Sequence, residues 1–395
     1  MKRFLLTSLL LSFFFSYSQV PQITENTTIS IITIDPGNLL NDSFGHNGFR
    51  VKNDYLDIVY DYGRYNFEDP NFYTNFAKGK LVYLMGASNS LDILGYYKSQ
   101  NRTIKEQVLN LNQAQKESLI NYLANNYKLE NRPYLYDFFF DNCATKMRDV
   151  LEAVLNGTIE YKTPNVYKNE TFRTLIQNNL YWNSWGSFGI DIALGSVIDR
   201  NATPREYMFL PENIFQFFEE ASYNWTKKPL VIETNIINTQ NGEFSKGSFF
   251  TSPIFILSLL GLLVLFITFN DKKRNSRSKC LDVILFSVTG LIGVFLLLLW
   301  FATDHTATAH NYNLLWACPI SIIALTQVFK SVPKRWFVGY LKLLIIMLCL
   351  MVLHWFIGVQ GFAPALTPIL SAFAIRYMYL IWYFNNENHA STQQD

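Results

Sequence analysis

The sequence contains few cysteines, few histidines and almost no net charge. Its 395 residues include 4 cysteines and 5 histidines, and 33 basic against 31 acidic side chains leave a formal charge of +2. This small charge, without basic patches interleaved with aromatic residues, argues against a nucleic-acid partner. Only Cys143 lies outside the hydrophobic last third of the chain. The more polar part therefore has no second cysteine with which to form a disulfide.

Charged residues are also scarce in the last 150 residues, which are long apolar runs separated by short polar or basic loops. Five of these runs approach the roughly 20 residues that a helix needs to cross a bilayer. They predict an all-α domain at residues 246–386, with spans at 247–270, 283–303, 311–329, 337–357 and 364–384.

Basic residues decide the orientation of these spans. The loops after the first and third spans carry lysine and arginine, whereas the loops at 304–313 and 359–364 carry neither. By the positive-inside rule, the basic loops and a tail at 387–395 lie in the cytoplasm. Residues 1–18 have a basic start, an apolar run and small residues before Gln19, which is typical of a signal peptide. Both signals predict a multi-pass inner-membrane protein whose module at 19–245 lies in the periplasm.

The stretch around Cys143 predicts the start of a helix. Apolar residues recur at helical spacing from Met147 to Leu155, and Asn142 is a favourable N-cap residue. Cys143 then lies at the positive end of the helix dipole, which favours the thiolate over a thiol with a pKa of about 8.5. In an exported module without a disulfide partner, Cys143 is a candidate nucleophile. The alternative is a buried structural cysteine.

His46 is the only histidine of the predicted exported module. It lies in one of several predicted antiparallel strands, which cover residues 27–33 as an edge strand, 43–51, 55–62 and 81–85. Together with Cys143 it is a candidate Cys-His dyad, although a lone strand histidine is also commonly structural. Such sites usually add a polar residue that orients the histidine. Asp57 is the first choice and Asp61 the second, the alternative being that both are exposed.

The rest of the module is predicted to contain two further helices, at residues 112–127 and 212–222. Between residues 164 and 225 the periodicity is otherwise weak. Trp182 and Trp185 in this region predict a lid or docking segment.

Several polar residues are candidates for substrate binding. The outer loop at 304–313 carries His305, His310, Asn311 and Asn313. It is suited to bind a lipid headgroup or to steady the exported module, or it is a plain solvated loop. A metal site is not expected, because Asp304 and the two histidines lack a further ligand.

Three arginines have two interpretations each. Arg50 and Arg148 are suited to chelate phosphate, but either can instead pair with Asp57 or Asp149. Arg376, inside the last predicted span, needs a partner or a path to the membrane surface. A phosphate contact and a structural ion pair both satisfy that need.

Five groups of residues resemble the Lnb family of lipoprotein N-acyltransferases, four in its N-terminal periplasmic domain and one in its membrane domain. Asp61 departs from the family pattern, in which an asparagine is expected. The matching motifs are Ser43-x-Gly45-His46-x-x-x-Arg50, Asp57-x-Val59-Tyr60-x-Tyr62-Gly63, Glu130-Asn131-Arg132, Asp141-Asn142-Cys143-Ala144-Thr145-x-x-Arg148-Asp149 and Asp304-His305-Thr306-Ala307-Thr308-x-x-Asn311-x-Asn313-Leu314-Leu315-Trp316.

The order of histidine before cysteine, with strands preceding the cysteine helix, is similar to the permuted papain-like arrangement of lecithin:retinol acyltransferase and NlpC-like proteins. The resemblance implies an α+β papain-like periplasmic domain at residues 19–245, followed by an all-α five-helix transmembrane domain. A likeness at the level of fold carries less weight for function than the motifs do.

The family resemblance implies an enzyme without a cofactor or a metal. It would move an acyl chain from a membrane phospholipid, through a thioester on Cys143, to the α-amine of the diacylglyceryl-cysteine of a lipoprotein. Asn142 joins Arg50, Arg148 and the loop residues as candidates for binding these substrates. The alternatives are a membrane-anchored NlpC-type cysteine peptidase or amidase, a phospholipase in which water replaces the amine, and a non-catalytic scaffold for lipoprotein export.

Overall fold

The computed structural model of the chain describes residues 23–65, 68, 70–244, 247–330 and 332–392, with side chains described as far as residue 386. The predicted signal peptide at residues 1–18 lies outside the described residues, as does the end of the predicted tail at 393–395.

A mixed-length antiparallel sheet of seven strands organises the N-terminal part of the described chain. Its strands are β1 (Thr28–Ile34), β2 (His46–Lys52), β3 (Asp57–Arg64), β4 (Val82–Asn89), β5 (Ile104–Leu109), β6 (Pro133–Leu135) and β9 (Val231–Asn238), and a separate pair is formed by β7 (Ile159–Glu160) and β8 (Ser222–Tyr223). In the sheet they lie in the order β6-β4-β3-β2-β1-β5-β9. Strands β1 to β4 are consecutive antiparallel neighbours, which confirms the predicted arrangement.

The prediction that β1 is an edge strand is wrong, because β2 and β5 pair with its two sides. Its isoleucines are buried on both faces of the sheet. Ile29 and Ile31 join the main core, while Ile32 and Ile34 pack with Leu94 on the other face. An alternating sequence can thus occupy the middle of a sheet when both faces are covered.

Helices pack against the sheet and contribute many of the buried side chains of the main core. The helix at Gln113–Asn126 begins at the capping box of Asn112, as predicted, and the last helix of the module runs from Pro211 to Glu219. The helices of this part are α1 (Phe72–Lys78), α2 (Ser90–Ser99), α3 (Gln113–Asn126), α4 (Cys143–Val154), α5 (Phe172–Gln177), α6 (Trp185–Ala193), α7 (Pro204–Tyr207) and α8 (Pro211–Glu219). The N-terminal part is therefore an α+β domain.

The C-terminal part is helical. Three of its helices in the described residues are long and apolar enough to cross a membrane, namely α9 (Pro253–Arg274), α10 (Lys279–Phe301) and α12 (Arg335–Phe356). The short α11 (Ser321–Val328) precedes α12, and α13 (Leu366–Thr392) follows it. Residues 387–392 of the predicted tail continue the α13 helix.

The segment at 311–329 is not the single long helix that its composition predicts. A 310 helix at Tyr312–Leu315 is separated from α11 by non-helical residues that include Pro319. Proline removes a backbone donor and clashes with the preceding turn, so a continuous helix is interrupted there. Ala317 and Cys318 in the break are buried in protein. Irregular backbone is tolerated at membrane depth under that condition.

Candidate active site

Asn142 fixes the start of the helix that carries Cys143. Its Oδ1 accepts hydrogen bonds from the N–H groups of Ala144 and Thr145 at 2.8 and 2.9 Å. Its Nδ2 donates to the carbonyl oxygens of Phe138 and Phe209 at 2.7 and 2.8 Å. The side chain is buried and both of its polar atoms are occupied. These contacts hold the start of the Cys143 helix in place, whereas substrate binding by Asn142 stays a prediction.

His46 is the first residue of β2 and faces two ionisable groups. Its Nε2 donates to Oδ2 of Asp61 at 3.0 Å, which leaves Nδ1 as the ring nitrogen available to Cys143. Burial alone would lower the pKa of His46. The electrostatic effects of Tyr97 and Cys143, together with hydrogen bonds to Asp61 and Cys143, outweigh burial and raise this pKa well above its usual value. These contacts therefore favour the charged form of the imidazole.

Cys143 has the opposite shift. Burial alone would raise its pKa, but the charge of His46, the hydrogen bond from the imidazole and the backbone N–H of Asn47 together lower it below the usual value. Cys143 is partly exposed rather than fully buried. The two shifts together favour a thiolate beside an imidazolium, a form in which a cysteine can act as a nucleophile.

Arg64 contacts the carboxylate oxygen of Asp61 that does not face His46. Its guanidinium donates to Oδ1 of Asp61 at 2.8 Å and to the hydroxyl of Ser88 at 2.8 Å. Burial alone would raise the pKa of Asp61, but the hydrogen bond from His46 and the charges of His46 and Arg64 lower it below its usual value. Cys143, His46, Asp61 and Arg64 thus form a row of side chains in which groups that can be negative alternate with groups that can be positive.

A bulge in β3 makes the contact between Asp61 and Arg64 possible. Residues three apart in a regular strand point to opposite faces of the sheet. The register shifts between Tyr62 and Arg64, and Gly63 has a φ of +106°, which only glycine adopts without strain. Gly86 gives the arginine space, since a Cβ there would fall 1.9 Å from Nε of Arg64.

Asp57 does not contact His46, which corrects the first choice for the orienting residue. It lies near the other end of the β2–β3 hairpin, where its carboxylate accepts two hydrogen bonds from Arg50 at 2.6 and 2.7 Å. Arg50 also donates to Glu106 at 3.1 Å. The pairing interpretation of Arg50 is therefore the one observed, and Asp61, the second choice, is the carboxylate beside His46.

Arg148 is likewise paired within the module. It donates to Asp149 at 2.8 Å and to the carbonyl oxygen of Arg205 at 2.9 Å. Inside the membrane part, Arg376 is fully buried and donates to Asp271 at 2.7 Å and to Asp282 at 2.8 Å. For both arginines, the structural interpretation is the observed one.

The outer loop at 304–313 holds the two parts of the chain together. Thr306 donates from its hydroxyl to Asp137, six residues before Cys143, at 3.0 Å. His305 donates through Nε2 to the carbonyl oxygen of Phe76 at 3.0 Å. The backbone carbonyl of His310 accepts from Ser196 at 3.1 Å, and the His310 ring packs on Trp300 with a centroid separation of 5.0 Å.

Asn311 and Asn313 complete this joint. Both are buried, and their Nδ2 atoms each donate at 2.8 Å to the α6 carbonyl oxygens of Ile192 and Asp191, respectively. The four loop residues expected to bind substrate thus have partners within the chain, which favours the steadying role among the sequence-based alternatives. In the part of the chain that the structure describes, no three histidine, cysteine or acidic side chains are arranged to hold a metal.

Two tyrosines next to Cys143 were not identified from the sequence. Burial is the main cause that raises the pKa of Tyr134 and of Tyr136, and the charge of Cys143 is the next. Within the described residues, the buried hydroxyl of Tyr134 has no hydrogen-bond partner. The aromatic run before the cysteine helix contains both residues, but nothing in that run distinguishes them from its phenylalanines.

Two family models match the chain. A model of the Lnb N-terminal periplasmic domain matches residues 20–178, and a model of the Lnb transmembrane domain matches residues 244–388. The first match contains every residue of the Cys143–His46–Asp61–Arg64 row, and the second contains the outer loop. No curated protein and no solved structure matches the sequence.

Proposed function

The chain belongs to the Lnb family, and we propose that it N-acylates lipoproteins through a thioester on Cys143. Membership of this family indicates a membrane protein with a periplasmic domain and an acyltransferase-type enzyme of lipoprotein processing. The acyl donor is a membrane phospholipid, and the acceptor is the α-amine of the N-terminal diacylglyceryl-cysteine. The observation that carries the proposal is the placement of His46, which hydrogen-bonds Asp61 and lies beside the Cys143 thiol at the capped start of its helix.

In the first step, the Cys143 thiolate attacks the carbonyl carbon of the phospholipid ester. The imidazolium of His46 gives its proton to the departing oxygen of the lysophospholipid, leaving a thioester and a neutral imidazole. The oxyanion needs hydrogen-bond donors, each worth about 3 kcal/mol in comparable enzymes. The N–H groups of Ala144 and Thr145 already donate to the side chain of Asn142. We therefore assign the oxyanion contacts to the N–H of Cys143 and to the hydroxyl of Tyr134, which has no partner among the described residues.

In the second step, the acceptor amine attacks the thioester and passes a proton to His46. Acylation removes the negative charge of Cys143, one of the causes that raise the pKa of His46, while burial continues to lower it. Loss of this charge favours the neutral imidazole, which is the form that can accept the proton of the attacking amine. Departure of the thiolate restores the initial ion pair and releases the amide.

We also propose that the domains divide as the sequence predicts, with a periplasmic papain-like domain at 19–245 and a five-span membrane domain at 246–386. The interrupted segment around Pro319 serves as the third span. Its ends support this, because Asn313 bonds to the periplasmic module, whereas the carbonyl oxygen of Val328 accepts from Arg277 in a basic loop. The outer loop then fixes the catalytic domain above the spans, where both substrates are embedded.

The decisive experiment produces the full chain in cells that lack N-acylation activity and measures lipoprotein N-termini by mass spectrometry. We expect triacylated N-termini with the unaltered protein and only diacylated ones with Cys143→Ala or His46→Ala. Cys280→Ala is the matched control and retains activity, because Cys280 is exposed in the membrane part. Diacylated N-termini with the intact, normally produced protein would contradict the proposal and leave the peptidase, phospholipase and scaffold alternatives.

A further inference from the structure

Five large apolar side chains, three in the exported module and two in the segment that leads into the first membrane helix, lie exposed beside that helix. Their exposed fractions are between 48 and 69%, and we call them the apolar lip: Leu39, Leu40, Trp185, Phe249 and Phe250. Scattered exposed apolar residues are ordinary, but a contiguous group marks an interaction surface.

Contacts between distant parts of the chain make the lip contiguous. The Leu40 side chain packs over Gly186, where a Cβ would fall 2.8 Å from its Cδ1. The indole N–H of Trp185 donates to the carbonyl oxygen of Thr251 at 2.8 Å. Phe250 packs edge-on against Phe255 in the first turn of α9, with ring centroids 5.3 Å apart. The lip thus continues directly into a helix long enough to cross the membrane.

The chain that carries Leu39 and Leu40 continues to His46 of the candidate active site. Leu39 and Leu40 belong to a compact turn, in which Ser43 donates to the carbonyl oxygen of Leu39 at 2.8 Å and Gly45 to that of Asp42 at 3.2 Å. His46 follows Gly45 immediately. The turn therefore connects Leu40 to the start of β2 through a short stretch of hydrogen-bonded backbone.

The position of the lip identifies what covers it. It adjoins the outer end of α9, and the basic residues of that helix are at its other end. Trp185 has an apolar ring and a hydrogen-bonded N–H, the combination enriched where membrane meets water. We propose that the apolar lip is inserted in the outer leaflet and guides the acyl chain of the phospholipid donor to Cys143. The guiding role rests on the proposed function, whereas the insertion does not.

Photo-crosslinking in the full chain tests the insertion. Benzoylphenylalanine replaces Leu40, and the full chain is placed in nanodiscs that contain phosphatidylethanolamine. After irradiation, mass spectrometry should detect adducts between position 40 and this lipid. Tyr55 is the control site, because it is 85% exposed in the turn at the opposite end of the β2–β3 hairpin from His46. We expect at least tenfold more lipid adduct at position 40 than at 55. Equal yields, or adducts with protein only at position 40, would overturn the insertion.

A second measurement tests the guiding role. The double variant Leu39→Gln with Leu40→Gln should lower N-acylation about tenfold, while iodoacetamide alkylates Cys143 at an unchanged rate. Tyr55→Gln should change neither. Unchanged acylation in the double variant refutes guiding, and slowed alkylation shows that the change disturbed the dyad instead. If the unaltered chain crosslinks lipid at position 40 but acylates nothing, the proposed function fails and the insertion stands.

Discussion

The two ends of the β2–β3 hairpin carry the same arrangement of side chains with different consequences. At one end His46 contacts Asp61, and at the other Arg50 contacts Asp57. The ladder pairs Gly48 with Asp61 and Lys52 with Asp57. Each base therefore reaches an acid that lies on its face of the sheet and diagonally across the ladder, and the two pairs are four residues apart.

What differs is the third group at each end. Arg50 uses its remaining donors on Glu106, which completes a structural ion-pair network. His46 keeps one ring nitrogen for Cys143, brought there by α4. Asp61 is also less exposed than Asp57, at 6% against 27% of the side chain. A cross-strand acid–base pair thus becomes part of a reactive site only where a nucleophile completes it.

The largest difference between the two ends should appear when each aspartate is replaced. Asp61→Asn removes the charge that stabilises the imidazolium and favours the wrong tautomer, so N-acylation should fall by about a factor of 100 to 10,000. Asp57→Asn should leave the rate within about twofold. The measurement is the rate with purified full-length protein, lipid and a diacylated peptide. Equal losses in the two variants would show that the comparison is wrong.

The second-largest difference between the two ends of the hairpin should appear in the pH dependence of Cys143 reactivity. Alkylation of Cys143 follows its thiolate, so the rate should rise with pH through a midpoint below about 8.5 and then level off. His46→Ala removes the main cause that lowers this pKa and leaves burial, which raises it. The midpoint should then move up by at least one pH unit.

Arg50→Gln is the matched control for this titration. It removes a cation from the same strand without touching Cys143, so the midpoint should stay within about 0.3 pH units of that of the unaltered protein. A large upward shift with Arg50→Gln, or none with His46→Ala, would mean that the thiolate owes its stability to something other than the imidazole.

Sequence patterns were sufficient to predict the cysteine helix, because its N-cap and apolar spacing are local. They were insufficient to choose between Asp57 and Asp61. That choice depends on strand register and on the bulge at Gly63, which nothing local determines. The interruption of the segment at 311–329 was missed for a related reason. Composition measures how apolar a segment is, whereas Pro319 decides whether its backbone can remain helical.

Arg64 provides a smaller test of the reactive end. It contacts Asp61 and neither Cys143 nor His46, so it is a positioning residue. Arg64→Gln should lower N-acylation about tenfold and shift the acid limb of the pH–rate profile upward, because Asp61 loses a charge that lowers its pKa. Arg64→Lys, which keeps the charge, should recover the pH profile. A lower rate with an unchanged profile in both variants would indicate a purely structural role.

The smallest expected effect is at the structural end, and it concerns stability rather than activity. A double-mutant cycle with Arg50→Met and Asp57→Asn should give a coupling free energy of about 1 kcal/mol, because the pair is charge-assisted but partly exposed. For a domain of this size that is a shift of about 2–4 °C in unfolding temperature, with N-acylation unchanged. A coupling in the acylation rate instead would mean that the two ends of the hairpin act as one network. The reactive end would then extend along the whole ladder rather than stopping at Arg64.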